Sequence, residues 1–394
     1  MQAIKAKQIF IFICTFFFLC GFTTTLNDTI IPFLQDKMAL SYAKIMLIQL
    51  SFYLGYFSLS PLSIYFVNNI KHSKILFFSI LGGSLGCFLL VIFTLSNFYF
   101  GILSAIYIIG ASIASLQVLG NALVIWLGDK KSSASRLTLV QSFTSVGMVI
   151  APIFGAKFIL EGANMAACYF LMSFLWLILA FATLFIDIPS KKQEETKYSS
   201  EKIVSSTLLW GFFAIFFCVG AEVTIGSFLV KFLQDEKVAS LPQVLADEMT
   251  SIYWFGLMVG RILGYFVLKK YNSAKVLFTN SLIALCFIFT AAFNFGYLAA
   301  GAILVVGLFN SILFPTIFSL SLNENKATSI ACSILVMGNI GGAIIPLIQG
   351  AIADNIGLHN SFFFPIICYI YILFFALRFI KQKTVLKQKT ALAN

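Results

Sequence analysis

Three ionisable side chains stand in runs of otherwise apolar residues: Asp28 in "GFTTTLNDTIIPFL", Glu222 in "VGAEVTIGSFLV" and Arg261 in "MVGRILGY". A charge placed in lipid costs about 3 kcal/mol even on lenient insertion scales, so such a group must face a cavity or a partner. Burial away from water disfavours the charged form of a carboxylate. Asp28 is therefore suited to exchange a proton near neutral pH, and a loaded proton makes it neutral and cheap to enclose. The competing reading is a helix-end acid facing external water, since Asp28 lies in the outer half of its apolar run. Glu222 has three uses open to it: binding hydroxyl groups, sharing the proton, or holding a hydrogen bond between helices. Arg261 can extend its stem to a membrane face or pair with an acid as part of a gate.

A second set is neutral. Asn27, Gln49, Gln117, Asn121, Gln141, Asn310 and Gln349 all lie within apolar segments. Amides both donate and accept, which suits a polyhydroxylated ligand. Gln117 and Asn121 are four residues apart and share one helix face. Such residues also serve as links between membrane helices. Trp254, in "SIYWFG", can stack on the face of a sugar ring or sit as an aromatic at the membrane interface.

The elements that position these residues follow from composition. The chain has 394 residues, 60% hydrophobic and only 10% charged, with 45 Phe. Soluble domains carry about 25% charged residues. Breaks in hydropathy and turn residues divide the chain into twelve apolar segments near 8–33, 43–67, 73–95, 97–127, 136–160, 164–187, 206–234, 248–269, 275–293, 296–322, 328–353 and 360–380, each long enough to span a bilayer as a helix. The first run is too long for a signal peptide, has no clear small-residue cleavage site, and is read as retained. Basic residues fall mainly in alternate loops and at the two ends, among them Lys71, Lys130, Lys131, Lys191, Lys192, Lys269 and Lys270; the other set of loops holds only Lys37, Lys44, Lys157, Lys231 and Lys237. Basic loops mark the cytoplasmic side, so both termini, and the loop from Lys191 to Lys202, are expected inside. The net charge of +11 is then a topology signal helped by contact with lipid head groups, and not a nucleic-acid surface.

The chain also repeats itself. "FFFLCGFTTTLNDTIIPFLQD" aligns with "IFFCVGAEVTIGSFLVKFLQD", pairing Gly21 with Gly220 and Thr25 with Thr224. "YFVNNIKHSKILF" parallels "YFVLKKYNSAKVLF", and "GMVIAP" at Gly147 parallels "GGAIIP" at Gly341, at a spacing near two hundred residues throughout. The expected fold is an all-α integral membrane protein of twelve transmembrane helices in two pseudo-symmetric six-helix halves, residues 1–187 and 206–394, joined by a cytoplasmic linker at 188–205. Gly147, Gly341 and Gly342 are expected at close helix contacts, and Pro152 and Pro346 are expected to interrupt helix interiors. The eight Cys all fall in apolar runs without metal-ligand spacing. His72 and His359 fall in expected loops, and no Walker-type phosphate loop or Ser–His–Asp set occurs, so neither an enzyme nor a cofactor is expected.

On these stretches the chain resembles the major facilitator superfamily, and within it the fucose–galactose–glucose:proton symporters. The resemblance rests on "LNDTIIPFL", "LIQLSFYLGYF", "LQVLGNAL", "SRLTLVQSF", "VGAEVTIGSFLV", "GLFNSILFPTIFSL" and "GGAIIPLIQGAIAD", and covers nearly the whole chain. It implies a proton-coupled importer of a monosaccharide of the glucose, galactose or fucose type. It also implies a bacterial cytoplasmic (inner) membrane, a monomer in contact with lipid, proton coupling at Asp28 with Glu222 as a second carboxylate, and sugar contacts at Gln117, Asn121 and Gln141. The chain departs from the family where Gln141-Ser142-Phe143-Thr144-Ser145 replaces Gln-x-Phe-Asn-Ser, and where Asn121 is followed by Ala122 in place of Pro. Gln117 leans to the glucose/galactose branch, since the fucose branch carries Glu there. Two alternatives remain: a transporter of a non-sugar metabolite on the same fold, as importer or proton antiporter, and a non-transporting sensor, which would need a soluble signalling domain that this chain has no room for.

Overall fold

Long apolar stretches of chain leave the backbone no polar solvent, and it folds accordingly into helices that satisfy their own hydrogen bonds. The computed structural model describes residues 2–38, 47–59, 70–126, 132–155, 164–186, 205–323 and 329–393. The helices are α1 Gln2–Met38, α2 Leu47–Leu59, α3 His72–Leu95, α4 Tyr99–Trp126, α5 Ser133–Gly155, α6 Met165–Ala182, α7 Ser206–Gln234, α8 Gln243–Lys270 and α9 Ser273–Phe293. They continue with α10 Gly296–Asn310, α11 Leu313–Asn323, α12 Ser329–Met337, α13 Gly341–Ile356, α14 Leu358–Ser361 and α15 Phe364–Ala393. Among the described residues, 11 segments are long and apolar enough to cross a membrane, and the shorter α2 adds one more apolar helix. The count fits twelve crossings. Two crossings are broken in the middle: α10 and α11 share the span Gly296–Leu322, and α12 and α13 share Ala331–Ile356.

Helix starts are set by short polar side chains that accept from otherwise unpaired N–H groups. Asn164 caps α6 through the Ala167 N–H at 3.1 Å, and Ser205 caps α7 through the Leu208 N–H at 3.1 Å. Asn272 caps α9 through the N–H groups of Ala274 and Lys275 at 3.0 and 3.3 Å. The expected boundaries are displaced where polar residues continue a helix past its apolar part. Thus α8 starts at Gln243, directly after Pro242, and not at 248.

The two prolines do not interrupt their helices. Helix α5 runs through Pro152, and α13 runs through Pro346. The departure from α-helical geometry lies earlier, in a 3-10 turn at Gly338–Ile340. The expected linker at 188–205 lies outside the described residues except for its last residue. The two histidines are not loop residues either: His72 is the buried first residue of α3, and the other is His359. It is buried in α14 between the rings of Phe232 and Phe295, with its Nε2 2.8 Å from the Asn294 carbonyl oxygen.

Large apolar side chains such as Phe78, Phe100, Phe289 and Phe374 point outward, toward the lipid that this composition requires. Apolar burial gives little drive to helix association there, so small residues and polar links decide which helices touch. Helix α1 lies along α5, α7 along α13 and α15, α3 between α4 and α6, and α5 against α8. At the α1–α5 crossing a Cβ on Gly21 would collide with the Thr144 carbonyl, and one on Gly147 with that of Phe18. At the α7–α13 crossing a Cβ on Gly341 would collide with the Phe216 carbonyl, and one on Gly220 with the Ile345 side chain. These are the glycines that the two halves of the sequence align.

Candidate functional site

The middle of α4 and α5 carries a cluster of amides. Gln141 of α5 donates through Nε2 to Asn121 Oδ1 of α4 at 3.4 Å, and Thr144 Oγ1 donates to Gln141 Oε1 at 3.5 Å. One turn before Asn121, Gln117 donates through Nε2 to the Tyr56 hydroxyl of α2 at 3.4 Å. All three bonds are long and therefore weak. The Asn121 Nδ2 is buried without an acceptor. An orphaned donor beside weakly engaged amides is an unmet hydrogen-bonding demand, of the kind a ligand hydroxyl can meet.

Other members of the expected set are committed elsewhere. Asn310 at the end of α10 accepts from the Tyr369 hydroxyl at 2.7 Å and donates to the Tyr253 hydroxyl at 3.1 Å. Asn27 of α1 accepts from the Tyr169 hydroxyl of α6 at 2.7 Å, while its Nδ2 is left without a partner. Gln349 of α13 donates to Ser361 of α14 at 3.2 Å and is not joined to the other candidates. Gln49 lies half-buried in the first turn of α2. Trp254 is buried edge-on to Tyr253 and packs against Gly226 of α7, so it is not a lipid-interface aromatic. Asp28 follows Asn27 on α1, but its side chain lies outside the described residues.

Short tyrosine–asparagine bonds of this kind act as links between helices. Tyr369→Phe is expected to strand the buried Asn310 Oδ1 and to cost about 1–3 kcal/mol. Thermal unfolding of the purified protein reads this out, and an unchanged midpoint would show that Asn310 finds another donor.

Arg261 of α8 does not reach out to a membrane face. It is 4% exposed. Its Nε donates to the Ser311 carbonyl at 3.1 Å, and its Nη1 donates to the Gln141 carbonyl at 3.0 Å and to Ser145 Oγ at 2.7 Å. A buried guanidinium needs such partners to offset its desolvation. The extended side chain stays inside because α8 lies close to both α5 and α10: a Cβ on Gly260 would strike the Leu308 carbonyl and the Ser311 hydroxyl. Glu222 of α7 is half-buried on a helix that packs against α8, and makes no ion pair or hydrogen bond among the described residues. Asn121, Gln141 and Arg261 are thus linked from α4 through α5 to α8, and Tyr253 and Asn310 are linked from α8 to α10. Among the described residues there is no group of three or more His, Cys, Asp or Glu side chains able to hold a metal ion.

Tyr169, Tyr253 and Tyr369 were not among the residues singled out from sequence. A signal for two of them exists: Cys168-Tyr169 and Cys368-Tyr369 stand 369 − 169 = 200 residues apart, the same spacing as the other repeated stretches. Tyr56 and Tyr253 carry no such mark, and only packing reveals their partners.

A bundle of membrane-length helices with a buried cation and under-satisfied amides at its centre defines a membrane transport protein. A family model described as the Major Facilitator Superfamily matches residues 11–329, and the chain belongs to that superfamily. It is 38% identical over 376 residues to the glucose/galactose transporter of Brucella abortus, covering 92% of this chain and 91% of that one. It is 26% identical over 407 residues to the L-fucose-proton symporter of Escherichia coli, covering 93% and 92%. In three dimensions it matches the crystal structure of the major facilitator transporter FucP in the outward conformation, with a TM-score of 0.82, 26% identity and coverage of 94% and 98%.

Proposed function

We propose that this protein imports a monosaccharide of the glucose, galactose or fucose type together with a proton. On this reading it works by alternating access between two six-helix halves, residues 1–187 and 206–394, in a bacterial cytoplasmic membrane with both termini inside. The observation that carries the reading is the weakly bonded Gln117–Asn121–Gln141 amide cluster, with Asn121 and Gln141 buried and the Asn121 Nδ2 unsatisfied, in a chain similar to sugar transporters. Asymmetric placement of Lys and Arg supports the orientation. In this assignment Gln117, Asn121 and Gln141 bind sugar hydroxyls, Asp28 and Glu222 carry the proton coupling, and Asn27, Asn310 and Gln349 hold helices together. The protein works as a monomer surrounded by lipid.

Counterflow of labelled glucose, galactose and fucose in proteoliposomes tests the substrate class. Exchange of at least one of them is expected; exchange of none would transfer the protein to a non-sugar substrate on the same fold. Gln117→Ala is expected to weaken sugar binding by about 1 kcal/mol, several-fold in affinity, because one hydrogen bond is lost. Competition in the same counterflow assay measures it. Equal affinity for every sugar tried would remove Gln117 from the binding site.

A further inference from the structure

Arg261 ties the first half of the chain to the second. Its Nη1 bonds the Gln141 carbonyl and Ser145 Oγ, both on α5, while the residue itself rides on α8. Two more polar links cross the same seam: Ser133 Oγ to Ser319 Oγ at 2.7 Å, and Ser135 Oγ to the Tyr265 carbonyl at 2.8 Å. Ala134, Leu268, Val276 and Ile312 form a small apolar cluster between them, separate from the main core. All of these lie toward the end of the bundle where α5 begins and α8 finishes. The seam is closed there.

Alternating access requires that this seam part. When α5 leaves α8, Arg261 loses two of its three partners and keeps only the Ser311 carbonyl of its own half. Water that enters the open seam solvates the freed arm of the guanidinium, and a carboxylate within the half that Arg261 travels with would hold it in a charge-assisted hydrogen bond. Glu222 stands in that place: α7 packs against α8 in the same half, Gly226 meets Trp254 across that contact, and Glu222 lies one turn from Gly226 on α7, without a hydrogen bond among the described residues. The Arg261 Nη2 also has no partner among the described residues, so one arm of its fork is already uncommitted.

We infer that Arg261 is a two-position latch, holding α5 when the seam is shut and passing to Glu222 when it opens. With the seam shut no described residue pairs with Glu222; with the seam open the guanidinium fills that place. The latch rests on the alternating-access reading above and not on the identity of the sugar or of the coupling ion.

The test uses full-length protein in lipid nanodiscs, with Cys286→Ser to remove the exposed thiol and Ala134→Cys as a reporter buried in the seam. The rate of alkylation by a water-soluble maleimide reports opening, and no sugar is needed, so failure of the latch and failure of the sugar assignment are separate results. Ser145→Ala, which removes one partner of the shut position and leaves the arginine in place, should raise the rate about threefold, whereas Arg261→Ala removes both positions at once and its net change is the difference between them. Glu222→Gln should lower it, because the open state loses its anionic partner. The double variant should behave as Arg261→Ala alone, since Glu222 acts through Arg261. Should Arg261→Ala fail to fold, Ser145→Ala and Glu222→Gln decide the matter. Unchanged labelling in Ser145→Ala would overturn the latch, and unchanged labelling in Glu222→Gln would overturn its second position.

Discussion

Asp28→Asn is expected to leave sugar counterflow running while uphill uptake driven by a pH gradient falls to background. A symporter must load a proton on one side of the membrane and release it on the other. Asparagine keeps the size of aspartate and part of its hydrogen bonding, but it cannot titrate, so the variant resembles a carrier that is permanently protonated. Such a carrier still alternates with sugar bound, which is all that counterflow demands. It releases no proton in the cytoplasm and so cannot draw on the gradient. Both measurements belong on the same vesicles, so that loss of protein is not mistaken for loss of coupling. Accumulation at the wild-type level would move the coupling proton to Glu222, and Glu222→Gln would then carry the phenotype.

The second large effect concerns packing. Gly341→Ala is expected to lower stability by about 1–3 kcal/mol or more, as overpacking does in a close-fitting interior. The added methyl would meet a backbone carbonyl, that of Phe216, which cannot turn aside as a flexible side chain would. Helices α7 and α13 would have to separate along their length. Gly21→Ala should act in the same way through the Thr144 carbonyl at the α1–α5 crossing. Gly301→Ala is the control: nothing lies within 4 Å of its added Cβ, and alanine in a helix is worth about 0.5–1 kcal/mol over glycine. It should melt at or slightly above the wild-type temperature. If Gly341→Ala and Gly301→Ala melted alike, the crossing would not be the tight contact described here.

Much of the architecture was legible in the chain because hydropathy is a local property. A run such as "ILFFSILGGSLGCFLLVIFTL" must become a helix in lipid, whatever its neighbours do, since no other conformation pairs its backbone. The span at 296–322 coincides with Gly296–Leu322 for this reason. The alignment of Gly21 with Gly220 and of Gly147 with Gly341 was visible as well, and each pair falls at a helix crossing in the structure. A glycine repeated at the same register in both halves marks a close approach, so the pattern survives without knowledge of the partner. Where α8 begins was less legible, because helical propensity carries Gln243 to Glu248 past the apolar boundary.

The polar residues divide differently. Sequence alone marked Asn27, Gln49, Gln117, Asn121, Gln141, Asn310 and Gln349 as one class, amides in an apolar setting, and no local property separates a ligand contact from a helix link. The structure separates them by what they touch: a tyrosine at 2.7 Å for Asn27 and Asn310, and weak contacts at 3.4 Å for Gln117 and Gln141. Arg261 shows the same limit more sharply. Its stem is long enough to reach a membrane face or a partner, and both were compatible with "MVGRILGY". Packing of α8 against α5 and α10 decided for the partner. Sequence by itself determined that this chain crosses a membrane many times, which segments do so, and that a few charges among them need an explanation, because each of those follows from transfer between water and lipid one segment at a time. Tertiary structure alone decided which helices meet and which amides stay under-satisfied, because in lipid those outcomes depend on close contacts between residues far apart in the chain, such as Arg261 with Ser145 and Tyr369 with Asn310.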